Sequence, residues 1–202
     1  MKFTGVIFEN KEITDQSLFD ELPAEMQAFY SQMNGIVAYE GGFQVRGCVN
    51  DLDWFSLRKI WKGDWNLYET YDSILPSDIP FAQDGFGDQF LLRDGLVYKL
   101  HAEHGELEKI GIGFIDFMKL VTAHPVEILL LESFKNLYET GTEIKEGELM
   151  NVTPPFVFET KNKRTFKAVP VRERLLFLKS LYDQIKNMKN GDRVGVSKNS
   201  LN

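Results

Sequence analysis

Two aspartates, Asp84 and Asp88, enclose two glycines in the stretch Ile79-Pro80-Phe81-Ala82-Gln83-Asp84-Gly85-Phe86-Gly87-Asp88-Gln89-Phe90-Leu91-Leu92. Paired carboxylates can serve as general acid and general base when their surroundings force their proton affinities apart. Asp84 stands in a glycine turn and is expected to be solvated, which works against such a split. The same residues can simply shape a turn, because glycine permits positive φ and an Asp side chain accepts bonds from nearby backbone N–H groups. Of the two, Asp88 stands against the start of a strand and is expected to be structural. Asp84 is expected to lie further out, where it can meet a basic partner. Gly85-x-Gly87 precedes a strand rather than a helix N-terminus, so it lacks the geometry of a phosphate loop.

Other residues with chemical potential assemble into less. His101 and His104 are spaced as His-x-x-His, but on a strand that spacing puts them on opposite faces, with the second already in a turn. No cysteine or carboxylate pattern joins them or His124 into a metal-ligand set. Cys48 is the only cysteine and has no adjacent base in sequence. No catalytic residue, metal or cofactor is therefore expected, and a hydrolase using Asp84 and Asp88 is the least favoured of three functional readings.

The elements around the bend are easier to read. Pro80 lacks an N–H, which suits the first residues or the open side of an edge strand. Asp94-Gly95 between Phe90-Leu91-Leu92 and Leu96-Val97-Tyr98-Lys99-Leu100 is a hairpin signal. A second turn at Glu103-His104-Gly105-Glu106 leads to Leu107–Ile112, so residues 87–112 are expected to form an antiparallel meander. Upstream, Phe3–Phe8 suggests a short strand. Pro23 suits the first position of a helix with the stripe Met26, Phe29, Tyr30, Met33. Ile36–Tyr39 and Phe43–Cys48 read as strands around Gly41-Gly42. Asp51 or Asp53 suits the cap of a helix carrying Trp54, Leu57 and Trp61. Trp65, Tyr68 and Tyr71 follow in a loop, where such rings either form a recognition surface or cover one end of the sheet.

Downstream, Phe114, Phe117, Met118 and Val121 mark one helix, interrupted at His124-Pro125. A further helix is expected to carry Val126, Leu129, Leu130, Phe134, Leu137 and Tyr138, closed by Gly141. After Pro154-Pro155, Phe156–Glu159 and Thr165–Val169 read as strands flanking Lys161-Asn162-Lys163-Arg164. Pro170 opens a last helix with Val171, Leu175, Leu178, Leu181, Ile185 and Met188. The expected fold class is α+β, a mainly antiparallel sheet with helices packed against it plus a C-terminal strand-helix extension. Residues 1–141 form the main domain and residues 142–202 an extension packed on it, since one helix and two short strands are too few for an independent core.

Composition narrows the function. The 202 residues are 43% hydrophobic and 26% charged, an ordinary globular balance. No run approaches a membrane span and no charged, then apolar, leader is visible, while a lone cysteine fits a cytoplasmic chain. The net charge of −7 hides a division: residues 1–150 carry 12 Lys and Arg against 26 Asp and Glu, a formal −14, and residues 151–202 carry 11 against 4, a formal +7. An acidic body repels phosphates, which argues against nucleic acid, and suits either a basic protein partner or simple solubility.

Leu22-Pro23 before a helix ending Asn34-Gly35, then Ile79-Pro80-Phe81-Ala82, Asp84, Gly87-Asp88-Gln89-Phe90, Gly95-Leu96-Val97-Tyr98, Glu103 with Gly105-Glu106 and the helix from Phe114 to Leu120 together resemble the SUKH superfamily. The resemblance runs over about residues 15–122. Gly147-Glu148-Leu149 with Pro154-Pro155-Phe156 is similar to an extension on some bacterial members. The chain departs from the family pattern at Gly35-Ile36, where many members have a double glycine, and at the bulky Phe86. The resemblance implies an α+β binding protein without catalytic activity. It implies an immunity protein that neutralises a bacterial toxin, or alternatively a regulatory adaptor like the relatives that govern yeast cell-wall synthesis; the acidic charge of residues 1–150 suits a toxin with a basic domain. The candidate partner-binding residues are Asp84, Phe86, Asp88, Glu103, Glu106, Trp61 and Trp65.

Overall fold

The computed structural model describes residues 1–132, 134, 141, 143–161, 163–189 and 191. The fold is α+β. Seven strands pair in chain order into one antiparallel sheet: β1 (Phe8–Glu9), β2 (Ile36–Ala38), β3 (Phe43–Val45), β4 (Ile79–Asp84), β5 (Gln89–Arg93), β6 (Leu96–His101) and β7 (Glu106–Lys109). Short helices α1 (Gln16–Asp20) and α2 (Ala24–Tyr30) link β1 to β2, and α3 (Leu57–Trp61) lies between β3 and β4. After β7 come α4 (Phe114–Ala123) and α5 (Pro125–Ile128). A separate antiparallel hairpin, β8 (Glu148–Thr153) with β9 (Thr165–Pro170), then leads into α6 (Val171–Ile185).

The meander expected over 87–112 is present, with Arg93 opposite Leu96 and His101 opposite Glu106. Asp94 and Gly95 both have positive φ, 50° and 76°, which is what a tight hairpin turn between twisted strands requires. Pro80 is the second residue of β4, the first of the two places expected for it. β4 is paired on both sides, by β3 and β5, so it is no edge strand. The ladder to β5 shifts register between Ile79 and Ala82, and Pro80 falls in that irregularity, where its missing N–H leaves no gap. Its carbonyl instead accepts from Arg46 Nη1 at 2.8 Å.

Other boundaries move for local reasons. Of the first expected strand, Phe3–Phe8, only Phe8 falls in β1, which runs on to Glu9. Pro23 caps α2 from outside rather than opening it, and Met33 lies beyond its end. α3 starts behind Ser56, so Trp54 precedes the helix, and Asp53 pairs with Lys59 at 3.3 Å instead of capping it. The helix expected from Val126 is interrupted rather than continuous: α5 ends at Ile128, Leu130 takes a left-handed φ of 54° that α-helix excludes, and helical conformation resumes at Leu131, Glu132 and Phe134. Leu137 and Tyr138 lie outside the described residues, as does Asn162 of the basic turn. The strand expected at Phe156–Glu159 is absent, because β9 pairs with Glu148–Thr153. Met188 lies past the end of α6.

One sheet face is apolar. Phe114, Phe117, Met118 and Val121 of α4 are all buried, and their rings meet those of the sheet, Phe81 with Phe114 at 5.0 Å and Phe90 with Phe117 at 4.9 Å. A second row is polar. Gln44, Gln83 and Gln89 stand opposite one another on β3, β4 and β5, so their side chains share a face. Buried amides need partners, and these have them: Gln83 Nε2 donates to Gln44 Oε1 at 2.9 Å, and Arg46 Nη2 donates to Gln83 Oε1 at 2.7 Å and Gln89 Oε1 at 2.6 Å. Gln44 Nε2 then reaches the Glu148 carbonyl at 2.9 Å, tying the row to β8.

Further contacts join the C-terminal elements to the sheet. Met150 N–H donates to the Gly85 carbonyl at 2.8 Å, and the Tyr182 ring lies 4.8 Å from that of Tyr71, tilted 45° to it. Gly87 has φ +97°, and a Cβ there would stand 2.8 Å from Leu178 Cδ1, so both backbone and space demand glycine. Leu178 is 1% exposed within the main core. Leu178→Ala should therefore cost about 2–5 kcal/mol in chemical denaturation. An unchanged midpoint would show that α6 contributes nothing to the stability of the sheet.

Candidate functional site

The bend between β4 and β5 is built around Asp84. Its Oδ1 accepts from the N–H groups of Phe86, Gly87 and Asp88 at 3.0, 3.1 and 3.1 Å, and its Oδ2 takes a bond from Lys99 Nζ at 3.1 Å. Asp84 is 1% exposed, so the expected solvated position is reversed. The cause is long-range: Lys99 arrives from β6, and the hairpin and α6 cover the turn from the other side. Asp88 is the more open of the pair. Its Oδ1 accepts from Ala102 N–H at 2.9 Å, and its Oδ2 lies 3.2 Å from Lys99 Nζ and 3.5 Å from His101 Nδ1.

These surroundings drive the two carboxyls apart. Burial pushes Asp84 up to about 6, against the pull of Lys99. Burial also opposes the charge on Asp88, yet His101, Lys99 and the Ala102 N–H together hold it below the ordinary range. Burial acts against the Lys99 ammonium too, but Asp84 and Asp88 outweigh it and raise its pKa. Divergent carboxyls are the electrostatic condition for acid–base work. Here, however, both oxygens of Asp84 are already engaged inside the protein.

The bond to Asp88 raises the pKa of His101 against its partial burial, with Glu108 Oε2 3.0 Å from Nε2 adding to the effect. A raised folded-state pKa contributes stability that is complete below the unfolded histidine value of about 6.5 and is lost as pH rises through the folded value. His101→Gln should thus lower the melting temperature more at about pH 5.5 than at about pH 9. Equal losses at both would contradict the ion pair. The His101 and His104 rings are 5.5 Å apart rather than on opposite faces, because the turn after β6 folds the second back on the first. Among the described residues no three His, Cys, Asp or Glu side chains gather as a metal-holding group.

Asp84, Phe86, Asp88 and Glu103 converge on a cavity of about 330 Å³, roofed by Leu130, Phe156 and Val157. Phe86 is itself buried, its ring 5.0 Å from Phe134 and 5.2 Å from Phe156. Glu103 is 7% exposed, with Oε2 accepting from Val157 N–H at 2.8 Å. Glu106 does not line the cavity; it is exposed, 3.3 Å from His104, which does. The two tryptophans lie elsewhere. Trp61 is buried and donates to the Pro76 carbonyl at 3.1 Å. Trp65 is half-buried on a second, smaller groove beside α6, with Arg172 5.8 Å from its ring. Tyr71 is buried, its hydroxyl donating to the Ala102 carbonyl at 3.0 Å, so it covers the sheet.

Two side chains of this site escaped sequence reasoning. Lys99 is a lone charge between apolar neighbours on a strand, a legible hint of a buried partner. Arg174 gave no such hint, sitting among the charges of an amphipathic helix. It is 1% exposed, donating from Nε to the Phe86 carbonyl at 2.8 Å and from Nη1 to Asn151 Oδ1 at 2.9 Å, with Nη2 3.5 Å from Glu103 Oε1. Burial lowers its pKa, partly offset by Glu103.

An antiparallel sheet with helices packed on it and an internally bonded Asp/Gly bend defines a small α+β domain. The profile of the SMI1 / KNR4 family (SUKH-1) matches residues 16–120, and the chain belongs to that family. The match covers the bend and the whole meander and stops before the hairpin and α6. Comparison with curated proteins gives no match. Membership supports a domain of immunity or regulatory type that works through protein contacts, in a family that is generally non-catalytic. Among the described residues no helix is long and apolar enough to cross a membrane.

Proposed function

We propose that the protein is a non-enzymatic immunity protein that binds and blocks a bacterial toxin effector in the cytoplasm, through a basic face of the toxin. Family membership supports the immunity or regulatory type. The observation that carries the finer reading is charge: residues 1–150 hold a formal −14, with 12 Lys and Arg against 26 Asp and Glu. Such a body draws in a basic partner and repels nucleic acid, so a basic nucleic-acid-degrading toxin is the partner of best complementarity. The bend supports binding rather than turnover, since Asp84 and Asp88 spend their acceptor capacity on Lys99, His101 and backbone N–H groups. A regulatory adaptor would use the same surface for a cellular protein.

The test is to find a toxin domain encoded beside this protein's gene and to co-express the two. Growth should be arrested by the toxin alone and restored when both are made. Arrest that persists with both proteins present at equal levels contradicts the immunity reading. Turnover of a substrate that vanishes in Asp84→Ala would replace it with the hydrolase reading.

A further inference from the structure

The groove beside α6 shares no lining residue with the cavity at the bend. One wall is α3 and the connection after it, with Ile60, Trp65 and Leu67, and the other is α6, with Leu175 and Leu176. The first wall lies within residues 16–120 and the second beyond them, so the groove forms where the family domain meets the C-terminal helix. Both walls are fixed, because Leu67 and Leu178 are buried in the main core. Between them Leu176 stays 57% exposed and Trp65 half-buried, an apolar surface left open to solvent.

Size decides between a free ligand and an anchoring side chain. The groove holds about 170 Å³. That is below the ~300–1,000 Å³ typical of small-molecule sites and close to the ~150 Å³ of a cavity that receives one benzene ring. Charge on the rims then indicates what accompanies the anchor. Arg172, Leu175, Leu176 and Lys179 recur at i, i+3, i+4 and i+7, so they share one face of α6, with the two cations about 10 Å apart along the axis. Among the described residues neither cation has a carboxylate partner, and Arg172 lies 5.8 Å over the Trp65 ring. Arg172 also stands in the first turn of α6, where a positive charge opposes the helix dipole, so helix stability does not account for it. On the opposite rim Asp64 is matched by Lys59 at 3.4 Å, which leaves Glu69 as the one carboxylate there without a cation among the described residues.

We infer that this groove is a second protein-docking site. It seats one leucine or phenylalanine side chain of a partner against Trp65, Leu175 and Leu176, with Asp or Glu residues beside that anchor paired to Arg172 and Lys179. A preformed pocket that takes one large apolar side chain is where interface energy concentrates. An acid-flanked anchor is opposite in sign to the basic face proposed for the toxin, so this site goes beyond the immunity reading and does not depend on it.

The test uses the isotope-labelled full chain and the peptide acetyl-Glu-Gly-Phe-Gly-Glu-amide, whose alternate side chains share a face when extended. Its neutral match carries glutamine in place of both glutamates. On titration with the acidic peptide the indole N–H resonance of Trp65 should shift, whereas that of Trp61, already donated to the Pro76 carbonyl, should not. The neutral peptide should bind about fivefold more weakly, as loss of exposed ion pairs implies. Arg172→Glu should weaken the acidic peptide by at least that factor and leave the neutral one unchanged. Its melting temperature should be kept or raised, since a carboxylate suits the first turn of a helix. Glu69→Gln should bind the acidic peptide as tightly as the wild type or more so. No shift of the Trp65 indole with either peptide, equal affinities for the two, undiminished binding of the acidic peptide by Arg172→Glu, or weaker binding by Glu69→Gln would each overturn the inference.

Discussion

Arg174→Met is expected to destabilise the protein by about 3–5 kcal/mol, the cost of breaking a buried ion pair from one side. The methionine fills much of the space but leaves Glu103 buried without its cation. It also leaves the Phe86 carbonyl and Asn151 Oδ1 without the donors they hold at 2.8 and 2.9 Å. Arg174→Lys should recover little, because one ammonium on a flexible stem cannot reach three acceptors that a planar guanidinium spans. Chemical denaturation followed by fluorescence measures both. A loss below about 1 kcal/mol for the methionine variant would show that α6 is held by apolar packing alone.

Asp84→Ala should cost a similar amount, about 3–5 kcal/mol, and Asp84→Asn clearly less. Alanine strips the acceptor from three backbone N–H groups of the turn and unbalances Lys99. Asparagine keeps a carbonyl oxygen for those N–H groups, and Lys99 retains Asp88 at 3.2 Å. Equal losses would mean that the charge on Asp84, rather than its acceptor geometry, holds the bend.

What was legible in the chain is what local chemistry decides. Asp94-Gly95 announced its turn because positive φ at two consecutive positions is a demand few residues meet. The α4 stripe was visible because one element buries one face. The bend was recognisable as a turn for the same reason, but its burial was not. That depends on Lys99, 15 residues on, and on Arg174, 88 residues beyond Phe86, neither of which a local pattern reveals. Asp84 and Asp88 accordingly exchanged places, the supposedly outer residue being the inner one. Glu148–Thr153 was overlooked as a strand because Pro154-Pro155 drew the expected strand to their far side, onto Phe156–Glu159 across the basic turn from Thr165–Val169. Tyr182, unremarked in the helix pattern, closes over Gly105, where a Cβ would meet its ring at 2.3 Å.

Of the candidate contact residues, those on the bend and its neighbouring turn gathered at one cavity, while the tryptophans did not join them. Residues close along a hairpin stay close in space. Trp61 and Trp65 belong to a connection that packs against α6 and the far side of the sheet.

The rate at which the protein associates with a toxin domain found beside its gene, measured at two ionic strengths, tests most directly the proposal that it is an acidic binding domain. Association should occur and should slow markedly as salt is raised, because screening removes the attraction between an acidic body and a basic face. No association at either salt, or an association rate indifferent to salt, would contradict it.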